Sequence, residues 1–120
     1  MAKSIMIIDD ERGVCDILSR LFSDEGYEVS HSTNPLEGIE LVKKGKPDCV
    51  LLDIKMPHMD GIDVLAKLKG FDKDLKVIMI TGFGNLETAM ESMKLGAADY
   101  ITKPFDLEVI KRLVKKVIEA

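Results

Sequence analysis

At 120 residues, 46% hydrophobic and 32% charged, the chain has the length and composition of one globular domain with a real hydrophobic core, expected to span residues 1–120. A net charge of −4 argues against direct nucleic-acid binding, which needs a basic surface. No apolar run approaches the roughly 20 residues of a membrane span, and the four apolar residues after Met-Ala-Lys-Ser are too few for a signal-peptide core, so no membrane association and a cytoplasmic location are expected.

Ser4–Ile8 is rich in strand-forming residues and runs into Asp9-Asp10. Val14, Ile17, Leu18, Leu21 and Phe22 then recur at helical spacing, and Gly26 stands where helices commonly end. Tyr27–Ser32 alternates apolar and polar residues, as a half-exposed edge strand does. Asn34-Pro35 with Glu37 reads as an N-cap, a first-turn proline and a capping-box acid. The helix they open carries Leu36, Ile39 and Val42 and fades at Lys44-Gly45. Cys49–Leu52 is apolar on both faces, the pattern of a central parallel strand, and leads into Asp53.

After the Met56-Pro57 and Asp60-Gly61 loop, Ile62, Leu65 and Leu68 mark a short helix. Lys76–Ile80 is a second central strand, followed by Thr81. Asn85 is the expected cap of a helix ending at Gly96, whose Met90 and Met93 are expected chiefly in the core, with a partner-binding or self-association surface as the alternative. Asp99–Thr102 is the last strand and runs into Lys103-Pro104. Asp106 caps a closing helix with the stripe Leu107, Ile110, Leu113, Val114, Val117 and Ile118.

Five strands thus alternate with five helices, and right-handed crossovers place helices on both faces of a parallel sheet. Two strand orders suit such a sheet, and the pattern does not choose between them. Cys15, on a helix stripe, and Cys49, opening a buried strand, are expected to be inert buried thiols.

The chemistry lies at the strand ends. Ligands of open α/β sheets bind along the edge where the strands' carboxyl ends lie. There Asp9, Asp10 and Asp53 would meet the Thr81 hydroxyl and the Lys103 ammonium. Adjacent acids repel one another unless a cation compensates, and oxygen donors of this kind suit Mg²⁺ beside a phosphate. A carboxylate after four apolar residues, as at Asp53, is costly to bury unless paired or metal-bound. Thr81 and Lys103 are weak signals singly, and their weight comes from sharing an edge with the acids. The set suits Mg²⁺-dependent phosphoryl transfer.

Together these motifs resemble the receiver domain of two-component response regulators, along essentially the whole chain. Asp9-Asp10 is similar to the family's acid pair and Asp53-Ile-Lys-Met-Pro-His-Met-Asp-Gly61 to its phosphoacceptor loop. Thr81-Gly82 matches the hydroxyl position, Lys103-Pro104-Phe105 the lysine-proline, and Tyr100 the switch aromatic. The resemblance implies a flavodoxin-like (βα)5 three-layer sandwich with strand order 2-1-3-4-5. It implies that Asp53 accepts a phosphoryl group from a sensor histidine kinase or phosphotransfer protein. Asp10, Asp53 and the backbone carbonyl of Lys55 would hold Mg²⁺, with Asp9 acting directly or through water. Lys103 would contact phosphoryl oxygens, across a cis Lys103–Pro104 bond. Thr81 and Tyr100 would switch the face made by the fourth helix, last strand and last helix, a possible homodimer surface.

Two positions lend individual character. Lys55 adds a cation near the acids, and Phe83 puts an apolar ring where a polar side chain could position attacking water. Both are expected to lengthen the phosphorylated state. Gly82 leaves little bulk over the site, so acetyl phosphate should also serve as donor. The chain is expected to be no enzyme beyond self-phosphotransfer and autodephosphorylation. It stands either alone or as the receiver of a larger transcriptional regulator. A flavodoxin-like cofactor binder would want a Ser/Thr/Gly-rich loop where Asp-Asp-Glu stands. A Mg²⁺-dependent phosphohydrolase of the haloacid-dehalogenase kind would want Asp-x-Asp and a cap.

Overall fold

The computed structural model describes residues 2–82 and 86–120. The strands are β1 (Ser4–Ile8), β2 (Glu28–Ser32), β3 (Cys49–Asp53), β4 (Val77–Thr81) and β5 (Asp99–Thr102). Alternating with them are α1 (Arg12–Asp24), α2 (Pro35–Gly45), α3 (Gly61–Phe71), α4 (Leu86–Lys94) and α5 (Leu107–Glu119). The sheet order is β2-β1-β3-β4-β5, with every described pairing parallel. This is the flavodoxin-like order, and it settles the choice that the pattern alone left open.

The two faces of the sheet carry separate cores because side chains alternate along each strand. Met6 and Ile8, Val50 and Leu52, and Val77 and Met79 pack under α2 and α3. Ile5 and Ile7, Leu51, and Ile78 and Ile80 pack under α1 and α5 with Cys15, Leu18, Phe22, Ile110 and Val114. The central strands β3 and β4 are buried at every position, as their unbroken apolar runs predict. β2, at one edge, is largely exposed.

Several local expectations shift. Cys15, Leu18 and Phe22 are the buried residues of α1, whereas Ile17 is 55% exposed. Leu36 and Leu107 also face solvent at the starts of α2 and α5. A helix that covers a sheet buries a stripe narrower than periodicity suggests near its first turn. Asn34 and Asp106 cap as expected, accepting from the backbone N–H of Leu36 and Glu37 and of Glu108. The capping box does not close: Glu37 accepts from the Ser32 hydroxyl (2.8 Å), and that hydroxyl receives the Asn34 N–H (3.0 Å). Met90 and Met93 are 53% and 42% exposed, so they do not belong to the core. The expected Asn85 cap lies outside the described residues.

Gly61 positions the site's central loop. A Cβ there would collide with the Asp53 carbonyl oxygen and lie 2.6 Å from the Ile54 Cα. Only glycine lets the start of α3 press this closely on the end of β3.

Candidate functional site

Strands β1, β3, β4 and β5 each end at, or run into, polar residues on the same edge. β1 leads into Asp9, whose backbone N–H bonds the Ser32 carbonyl of β2 (3.2 Å). β3 ends at Asp53, held from the next residue by the Ile54 N–H on the Ile80 carbonyl (3.0 Å). The Lys103 N–H donates to the Thr81 carbonyl (2.8 Å), tying the segment after β5 to the end of β4. The Lys103–Pro104 bond is cis.

The side chains converge. Asp9, Asp10 and Asp53 each offer a carboxylate oxygen within 4.8 Å of the other two. The Lys103 Nζ lies 3.2 Å from Asp9 Oδ2, 3.5 Å from Asp53 Oδ1 and 3.3 Å from Glu11 Oε1. Asp9 Oδ1 accepts the Glu11 backbone N–H (2.9 Å). Asp9 Oδ2 is buried and accepts no hydrogen bond among the described residues; its approach to Lys103 is an ion pair only. A buried carboxylate oxygen left in this state is costly, and a hard cation would satisfy it. The oxygen donors and the orphaned atom therefore fit a divalent metal held by Asp9, Asp10 and Asp53.

Electrostatics tell the same story. Burial, then the charge of Asp9, push the Asp53 carboxyl up to about 7 against the pull of Lys103. Asp9 is also raised, first by burial, although the Glu11 N–H and Lys103 pull it down. Burial lowers Lys103, but Asp53 and Asp9 outweigh it and leave the ammonium raised. The cluster holds more negative charge than one lysine compensates.

Thr81 is buried at the end of β4, and its hydroxyl donates to the Gly82 carbonyl (3.3 Å). It shares the edge with the acids but makes no direct bond to them among the described residues. Tyr100 is half-buried against the core under α2 and α3, opposite Met79. Exposed Lys55 lines a 450 Å³ cavity with Asp10, Ile54, Met56, Pro57 and Asp60. Phe83 lies outside the described residues. Cys15 and Cys49 are buried, with burial raising their thiols to about 11 and about 12. The pairing of Glu11 with Lys103 has no counterpart in the sequence pattern: 92 residues separate the partners.

Comparison with known proteins identifies the family. The response regulator receiver domain family matches residues 5–115. The chain is 41% identical over 118 residues to sporulation initiation phosphotransferase F of Bacillus subtilis, covering 98% of this chain and 95% of that one. It is 37% identical to regulatory protein AtoC of Escherichia coli, covering 96% of this chain but spanning only 25% of the relative. A CheY-like response regulator receiver domain protein from Methanospirillum hungatei superposes with a TM-score of 0.95 at 31% identity, covering 99% of this chain and 95% of that one. Among the described residues no helix is long and apolar enough to cross a membrane. The chain belongs to the receiver domains of the two-component response regulators.

Proposed function

We propose that Asp53 is the phosphoacceptor of a receiver domain formed by residues 1–120. The observation that carries the reading is the reach of Lys103, whose ammonium stands between buried Asp9 and Asp53 at the strand ends. A carboxylate oxygen of Asp53 attacks phosphorus, and a P–O bond forms. The bond from phosphorus to the donor's leaving atom breaks, a histidine nitrogen of a kinase or phosphotransfer protein or the acetate oxygen of acetyl phosphate. The product is an acyl phosphate. Asp9, Asp10, Asp53 and the Lys55 carbonyl would hold Mg²⁺, which supplies positive charge against the repulsion between carboxylate and phosphoryl oxygens. Lys103 adds a fixed ammonium on the same side and orients the phosphoryl oxygens. The cluster's excess negative charge gives both cations a part in offsetting it.

The Thr81 hydroxyl, which among the described residues bonds the neighbouring Gly82 carbonyl, is the group offered to a phosphoryl oxygen. Its movement would open space for Tyr100 to turn inward and so alter the surface of α4, β5 and α5. The exposed Met90 and Met93 of α4 and the exposed Val109 of α5 suit that surface to a partner or a second copy. Lys55 and Phe83 are assigned to the lifetime of the acyl phosphate. The activity is self-phosphotransfer followed by hydrolysis, and the setting is the cytoplasm.

The experiment is incubation with acetyl phosphate and Mg²⁺ followed by intact-mass spectrometry. A single phosphoryl adduct on wild type, none on Asp53→Asn, and labelling slowed on the order of 10²-fold in Lys103→Ala are expected. Labelling that persists in Asp53→Asn removes the assignment.

A further inference from the structure

Glu11 occupies an unusual place. It is the N-cap residue of α1, yet its side chain makes no capping hydrogen bond. Asp, Asn, Ser or Thr would serve that end better. The Glu11 carboxylate instead crosses the edge of the sheet to Lys103 (3.3 Å). A glutamate that served only the dipole of α1 would have no need of that reach.

The ammonium of Lys103 is crowded by acceptors. An ammonium carries three protons. Three carboxylates, Asp9, Asp53 and Glu11, already stand within 3.5 Å of Lys103 Nζ. Among the described residues it is the Glu11 contact that has hydrogen-bond geometry, whereas Asp9 and Asp53 hold the ammonium as ion pairs, so a phosphoryl group arriving at Lys103 meets Glu11 as its competitor. Asp9 is fully buried, and releasing it would strand an unpaired charge away from water. Asp53 is the acceptor and must stay. The Glu11 side chain is 64% exposed and returns to solvent at little cost.

We infer that Glu11 is a positioning residue that competes with the phosphoryl group for Lys103, holding the ammonium over Asp53 in the resting state and yielding it on phosphorylation. This rests on the reading of Asp53 as phosphoacceptor. Glu11 touches neither phosphorus nor metal in this role. It sets how readily Lys103 is released, and so restrains labelling by small anionic donors.

The test compares the rate of acetyl phosphate labelling, with Mg²⁺ saturating, in wild type, Glu11→Gln, Lys103→Ala and the double variant. Competition for Lys103 predicts that Glu11→Gln labels faster by about two- to fivefold, the range of an exposed ion pair. It predicts no gain from Glu11→Gln when Lys103 is already alanine. An equal gain in both backgrounds would mean simple repulsion of the anion by Glu11 and overturns the inference. An unchanged or slower rate in Glu11→Gln, with wild type labelling at Asp53, overturns it as well. Thermal melting of Glu11→Gln and Glu11→Ser separates the helix end from the chemistry: a cap role shifts the melting temperature without the rate coupling to Lys103. Absence of labelling at Asp53 in wild type would instead remove the phosphoacceptor reading, and this inference with it.

Discussion

The two edges of the sheet use lysine in opposite ways. At the amino edge, Lys76 donates to the carbonyls of Ile118 and Ala120 at the end of α5 (3.1 and 2.8 Å). Lys69 donates to the carbonyls of Lys73 and Leu75 (both 2.8 Å). Asp48 there receives the Ser4 N–H (2.8 Å). Each charged group meets partial charges of the opposite sign and is satisfied. At the carboxyl edge, Lys103 faces three carboxylates, and Asp9 Oδ2 has no hydrogen bond among the described residues. The first edge is built for stability, whereas the second keeps an unmet demand for positive charge.

That contrast can be broken most strongly at Gly61. Gly61→Ala should drive the start of α3 off the Asp53 backbone, lowering stability by about 1–3 kcal/mol. Labelling should fall by more than thermal unfolding accounts for, because the carboxylate moves with its backbone. Normal melting and normal labelling together would show that the close approach is dispensable.

The unmet demand should appear next as a pH dependence of stability without metal. The Asp53 carboxyl is raised from 3.8 to about 7 in the folded chain. The folded state therefore binds more protons than the unfolded state between those values, and stability falls as pH rises through that window. Asp53→Asn removes that slope. Near pH 4 the two proteins should match, and above pH 7 the variant should be more stable by about 1–2 kcal/mol. Added Mg²⁺ should stabilise wild type above pH 7 far more than the variant. Parallel denaturation curves at pH 5 and pH 8 for both proteins would contradict the electrostatic account.

The satisfied edge gives the smallest effect. Lys76→Met should cost about 1 kcal/mol, as two carbonyls at the end of α5 lose a donor but remain near water. Labelling at Asp53 should not change. A labelling defect in Lys76→Met would mean that the edges are coupled and not merely contrasted.

The sequence made the carboxyl edge legible because its residues stand at strand ends, and strand ends are marked by where apolar runs stop. Asp9, Asp53, Thr81 and Lys103 are all found that way. The strand order was beyond reach of periodicity, which reports faces and not neighbours, and came from the resemblance. The lysine partners were illegible for a different reason. Lys76 meets the end of α5 and Lys103 meets Glu11 across long separations, and no spacing rule links such residues. Ile17 and Leu36 fit helical stripes but lie beyond the width of the sheet beneath and face solvent. Met90 and Met93 follow core-like spacing yet face outward, because α4 covers the sheet with Ala89 and Ser92.

Both sulfhydryls lie on the α1/α5 side of the sheet, one at the head of β3 and the other donating to the Asp9 carbonyl (3.3 Å). Alkylating reagents in water therefore reach them only after that layer lifts away. The native protein carries, without any engineered probe, a pair of chemical clocks for its own opening. One of them sits a single carbonyl away from the acidic cluster.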